Sequence, residues 1–247
     1  MPEQQQTTTI EQALDLATKH QNAGKLNEAE NVYQQILNAD PNQPIALHML
    51  GVIAHQLGKN EVAVELITKA LNIKPGYSEA HNNLGIVFQH QGRLEEAIIS
   101  YRKALSLEPN YAEFYNNLGL ALLAANRPKE AATNHEKAIK LKPEYAEALN
   151  HLGTAYRQLG RKQDAIQSYQ KALALKPNFI EVYYHLSLLF REFGQPDKAV
   201  VNLQRALAIK PDYTPALLNL GALFHELHNA EGAITNYQKA LAHRPDF

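Results

Sequence analysis

Apolar and polar positions follow one order that returns every 34 residues, from Ile10 to Phe247, with no insertion. Numbered 1 to 34, the units are 10–43, 44–77, 78–111, 112–145, 146–179, 180–213 and 214–247. In the first half of a unit the buried-type residues fall at positions 4, 7, 8 and 11. In the third unit these are His81, Leu84, Gly85 and Phe88, and in the fifth Leu149, Leu152, Gly153 and Tyr156. At about 100° per residue they share one stripe of an α-helix. The second half repeats the device at positions 20, 24, 27 and 28, as in Ala97, Tyr101, Ala104 and Leu105. Each unit therefore predicts two amphipathic helices, A and B.

The breaks between helices recur as regularly. Position 15 is Gly24, Gly58, Gly92, Gly160 or Gly194, with Asn126 and His228 in the fourth and seventh units. Glycine and asparagine tolerate the left-handed conformation that ends a helix. His228 fits less well, and Asn229 is expected to take that role. Pro128 and Pro196 at position 17 suit the first turn of helix B. Proline stands at position 32 in all seven units, from Pro41 to Pro245, and stops helix B. The predicted helices of about 14 residues are roughly 20 Å long. Alanine holds position 20 in every unit, from Ala29 to Ala233, which points to two backbones meeting closely. No single helix pair can bury both faces, whereas stacked neighbours can. The chain is thus expected to form one elongated array over residues 10–247, with a polar, disordered leader at residues 1–9.

The combination of a large residue at 4, Leu at 7, Gly at 8, an aromatic at 11, Ala at 20, an aromatic at 24, Ala at 27 and Pro at 32 resembles the tetratricopeptide repeat. The resemblance covers residues 10–247. It implies an all-α, right-handed superhelical solenoid of seven helix-turn-helix units, with helix A lining the concave surface. Two units depart from it. The first has Ala13, Ala17 and His20 at positions 4, 8 and 11. The fourth has His135 where Tyr33, Tyr101, Tyr169 and Tyr237 stand elsewhere, so it is expected to pack less well.

Positions 2, 5, 6, 9, 12 and 13 lie opposite the stripe of helix A. Stacking turns each into a ladder. Position 5 includes His48, Asn82, Asn116, Asn150 and Tyr184; position 6 includes Asn83, Asn117, His151, His185 and Asn219. A carboxamide offers a donor and an acceptor, matching both ends of a peptide group. These ten residues are the candidate site for an extended peptide held by its backbone. The asparagines at position 6 resemble the inner ladder of the repeat domain of O-linked N-acetylglucosamine transferases, which implies protein substrates. His151 and His185 depart from that ladder. The carboxylate clamp of chaperone-binding repeats needs lysine at position 2, where this chain has Glu79, Glu113, Glu147 and Glu181.

Composition narrows the remaining choices. There is no cysteine, so no disulfide or thiolate metal site forms. A net charge of −1 gives no general pull towards nucleic acid or acidic membranes. No apolar run approaches the roughly 20 residues of a membrane span, and no signal core is visible. The chain is expected to be cytoplasmic. His225-Glu226-Leu227-His228 falls one residue short of the zinc-protease motif, and ladder histidines are expected to sit about 8–10 Å apart, too far to share an ion. No metal, cofactor or catalytic group is expected. Cations at position 26 and position 31 read as partners of the helix dipole. The expected function is protein–protein recognition, with a substrate-recruiting arm of a glycosyltransferase and a self-assembling scaffold as alternatives. Ile234, Tyr237 and Leu241 on the last helix are expected to leave an apolar end that supports end-to-end self-association.

Overall fold

The computed structural model describes residues 9–243, and every regular element among them is an α-helix. Helix A of successive repeats is α1 (Ile10–Asn22), α3 (Pro44–Gln56), α5 (Ser78–His90), α7 (Ala112–Ala124), α9 (Ala146–Gln158), α11 (Ile180–Glu192) and α13 (Thr214–Glu226). Helix B is α2 (Leu26–Ala39), α4 (Asn60–Ile73), α6 (Leu94–Leu107), α8 (Pro128–Leu141), α10 (Lys162–Leu175), α12 (Pro196–Ile209) and α14 (Ala230–His243). The fold is all-α, built from seven helix pairs. The chain divides after Asn126 into two compact units, α1–α7 and α8–α14. Most of the leader and Pro245 lie outside the described residues. Thr9 is described, and it forms a capping box with Gln12 at the start of α1.

The A-to-B turn depends on one backbone conformation. Residue 15 of each repeat has positive φ, which lets the amide of residue 16 reach the carbonyl of residue 11. Arg93 N donates to Phe88 O at 2.9 Å, and Arg161 N to Tyr156 O at 2.9 Å. Asn126 adopts φ 55° and His228 φ 59°. The expectation that Asn229 would replace His228 is therefore corrected: the hydrogen bond from Asn229 N to Phe224 O fixes the turn, so residue 228 must take the strain. Asn229 serves instead as a cap, its Oδ1 accepting from Gly232 N at 2.9 Å. Helix B ends two residues before proline, and the intervening residue turns extended, as at Asp40 with φ −135° and ψ 91°.

Glycine at position 8 permits the close A–B approach. A Cβ on Gly153 would lie 2.5 Å from the Tyr169 ring, and one on Gly85 would lie 2.7 Å from that of Tyr101. Gly51 and Gly221 likewise meet residue 24 of their own repeats, Ile67 and Tyr237; where residue 24 is Leu203, position 8 is Ser187. His135 at position 24 of the fourth repeat is fully buried, and neither ring nitrogen has a hydrogen-bond partner. Burial pushes its pKa down to about 3, with the nearby His151 adding to the effect, so it sits neutral.

The buried face of helix A is wider than one stripe. Positions 3 and 10 are buried as fully as 7 and 8, through residues such as Ala46, Ile53, Phe114 and Ala121, or Ala148, Leu189 and Leu223. The cause is that an interior A helix can pack on its own B helix, on the B helix before it and on the next A helix, as α5 does on α6, α4 and α7. Position 28 of helix B is mostly half-buried instead. On the last helix Ile234 is 56% exposed, Leu241 44% exposed and Tyr237 half-buried. Three cations at position 31 cover aromatic rings three residues on: Lys74 over Tyr77 at 4.6 Å, Lys142 over Tyr145 at 4.7 Å and Lys176 over Phe179 at 4.3 Å.

Candidate peptide-binding face

Positions 5 and 6 lie about 100° apart on one helix, so 5 leans towards the following A helix and 6 leans back towards the preceding one. Within each unit, successive A helices consequently meet in a register of 35 residues. In the first unit Asn83 Nδ2 donates to His48 Nε2 at 2.8 Å, and Asn117 Nδ2 donates to Asn82 Oδ1 at 3.0 Å. In the second unit His185 Nδ1 bonds Asn150 Oδ1 at 2.9 Å, and Asn219 Nδ2 donates to Tyr184 Oη at 3.2 Å. Asn219 Nδ2 also reaches Pro215 O at 2.9 Å.

This separates the ten candidate residues into two rows. His48, Asn82, Asn116 and Asn150 are buried, and Tyr184 is half-buried. The expectation that position 5 faces solvent is thus corrected, because it is turned into the junction between A helices. Asn83, Asn117, His151, His185 and Asn219 are half-buried, so position 6 is the row that meets the surface. The buried row orients the outer row. His48 is neutral: burial pushes its pKa down to about 4, against the charge of Glu79. With Nε2 accepting from Asn83, its proton sits on Nδ1, which has no hydrogen-bond partner. Burial also lowers His151 and His185 to about 4. At neutral pH the ladder is uncharged.

The same register governs positions 12 and 13, which the sequence reading did not pair. His55 and His90 rings meet edge-on with centroids 4.6 Å apart in the first unit. That is closer than the 8–10 Å expected of neighbouring helices, because the side chains lean across the gap. In the second unit Arg157 Nη1 bonds Glu192 Oε1 at 2.5 Å, and Arg191 pairs with Glu226. Opposite charges separated by 35 residues were the available signal. Gln21 and Gln89 of the same edge accept from the position-24 hydroxyls of Tyr33 and Tyr101, at 3.3 and 3.0 Å. Beside Tyr184 and Asn219 a cavity of about 630 Å³ is lined further by Lys210, Tyr213, Pro215 and Leu218. Among the described residues no three His, Cys, Asp or Glu side chains are placed to hold a metal ion, and His228 stands in a turn. No described helix is long and apolar enough to cross a membrane.

Comparison with known proteins agrees with this architecture. No curated protein sequence matches the chain at a significant level. Among solved structures it is similar to Pseudomonas aeruginosa PilF, with 25% identity, a TM-score of 0.69, and coverage of 83% of this chain and 93% of that one. It is similar in fold to the anaphase-promoting-complex heterotetramer Cut9–Hcn1, at 18% identity and a TM-score of 0.77, covering 94% of this chain but spanning only 46% of that one. A third neighbour is YrrB, described as a tetratricopeptide protein with an unusual peptide-binding site, at 20% identity, a TM-score of 0.61, and coverage of 75% and 95%. The family model described as the cilia and flagella-associated protein 70 C-terminal domain matches residues 3–192, and a tetratricopeptide-repeat model matches residues 190–247. With the helix pairs, the position-8 contacts and these two matches together spanning residues 3–247, the chain belongs to the tetratricopeptide-repeat family.

Proposed function

We propose that the outer row of the A-helix ladder binds an extended segment of a partner protein through its backbone. The tetratricopeptide fold generally mediates protein–protein interaction, and a structural neighbour is described as having a peptide-binding site. The observation that carries the reading is the two-row arrangement: position-5 groups, buried His48 and Asn82 and half-buried Tyr184, hold the Asn83, Asn117 and Asn219 amides in place, while those three residues stay partly open to solvent. An oriented amide loses little side-chain freedom on binding, so more of each hydrogen bond is retained as affinity.

The test is selection of unstructured peptides from a displayed library on the parent protein, followed by titration against Asn83→Ala/Asn117→Ala. Each lost contact should weaken binding by about 0.5–1.5 kcal/mol. The same change strips partners from the buried His48 and Asn82, so some stability is lost as well. Titration therefore belongs at a temperature where circular dichroism shows both proteins folded. Selected peptides that bind the double variant as well as the parent would rule this face out.

A further inference from the structure

We infer that His55 and His90 form a two-histidine site for a divalent transition-metal ion, joining the ends of α3 and α5. The two residues stand at positions 12 and 13, in the register that in the second unit sets Arg157 against Glu192 and Arg191 against Glu226. There opposite charges close the gap between A helices. In the first unit two imidazoles meet in the same place, and a neutral imidazole is a metal ligand. A cation held by both rings would join the helices as the ion pairs do in the second unit.

The separation of the rings suits one ion. Metal–nitrogen bonds of about 2.1 Å put each ring centroid about 3.2 Å from the ion, so two rings held at about 90–110° have centroids roughly 4.5–5.2 Å apart. The centroids of His55 and His90 are 4.6 Å apart. His55 is also oriented for the role. Its Nδ1 lies 2.7 Å from Asn60 Oδ1, an oxygen that only accepts, so the proton sits on Nδ1 and Nε2 is left as the ligand atom. His90 is exposed at the last residue of α5, and its ring has no hydrogen-bond partner among the described residues. Both rings stand in the last turn of their helices, where unpaired carbonyls favour positive charge. No lysine or arginine occupies positions 12 and 13 of α1, α3, α5 or α7. Beside His55 a cavity of about 120 Å³, lined also by Gln56 and Asn83, has room for waters of about 30 Å³ each to complete the coordination. Imidazole ligands suit zinc, nickel or copper, whereas magnesium and calcium take oxygen.

The experiment is a calorimetric titration of the full 247-residue chain with zinc chloride, in a buffer that does not bind metal. Zinc should fill one site that magnesium does not. His55→Gln and His90→Gln should each weaken zinc about a hundredfold, and the double variant should lose little more than either single, because one ion needs both rings. Asn60→Ala removes only the group that positions His55 and should weaken zinc about tenfold, while Asn60→Asp should restore it. His225→Gln replaces an exposed histidine at position 12 of the seventh repeat and should change nothing. Circular dichroism checks that each variant keeps its helices, and the exposure of His90 makes His90→Gln the change least able to disturb the fold. No zinc binding by the parent chain overturns the inference. So does zinc binding that survives both His55→Gln and His90→Gln, or that falls equally with His225→Gln, since either result describes an adventitious surface site. Losses from the two single changes that add in full in the double variant overturn it too, because the rings would then hold separate ions.

Discussion

The two units use the same register with different chemistry. In both, position 5 of one A helix meets position 6 of the next, 35 residues on. At positions 12 and 13 the first unit sets His55 against His90, while the second sets Arg157 against Glu192 and Arg191 against Glu226. The second unit also holds more histidine out of water, with His135, His151 and His185 all shifted down by burial, against His48 and His81 in the first. The lesson is that the register is set by how neighbouring A helices lean on one another. Side chains facing the next repeat can vary as long as each finds a partner. Partner chemistry then decides how each unit responds to acid and salt.

Acid should separate the units most. A histidine buried neutral binds its proton more readily unfolded than folded, so its contribution is complete above the ordinary pKa of 6.5 and is lost as pH falls through 6.5 towards the folded value. His135 alone should cost the second unit about 2 kcal/mol at pH 5; with the half-buried His151 and His185 added and discounted for solvent, about 4 kcal/mol. The first unit, with His48 as its one deeply buried histidine, should lose about half as much. Hydrogen exchange across pH 7 to 5 checks this by comparing α8–α11 with α3–α5. Equal loss of protection in both would show that the buried imidazoles do not control acid stability.

A smaller effect tests what the units share. Gly153→Ala places a Cβ against Tyr169 and should cost about 1–3 kcal/mol by overpacking. Tyr169→Leu, copying the Ser187–Leu203 arrangement, should make the alanine tolerable. A denaturant double-mutant cycle reads the coupling. Additive losses would mean that the ring does not limit the approach. Gly85→Ala with Tyr101 should behave alike in the first unit.

The smallest expected effect concerns the charged edge. Arg191→Gln removes an exposed ion pair worth about 0–1 kcal/mol, and only in the second unit. Thermal melts in low and high salt should show the parent losing slightly more stability to salt than the variant does. A gap well above 1 kcal/mol would mean that the pair is desolvated and part of the core.

Much of the architecture was legible from position alone. Proline at 32 and glycine at 15 gave the breaks because each acts through its own backbone, whatever surrounds it. Position 15 decided even the exceptions, since Asn126 and His228 take the same left-handed φ. The face of helix A was less legible. A single helical stripe describes a helix buried on one side, whereas these helices are covered by three neighbours. Hence Ala46, Phe114 and Val182 at position 3 went unassigned although all are buried. Among the ten ladder residues, type and position were readable, but the division into a buried row and an open row was not.

The sequence by itself determined that there are seven helix pairs, where each turns, and which small residues let them approach, because those features depend on contacts within one repeat. Only the tertiary structure decided that successive A helices meet 35 residues apart and not 34. That offset arises from how neighbouring helices lean on one another, and no single repeat contains it. It turns His48 inward and leaves Asn83 half-open, and it sets Arg191 against Glu226.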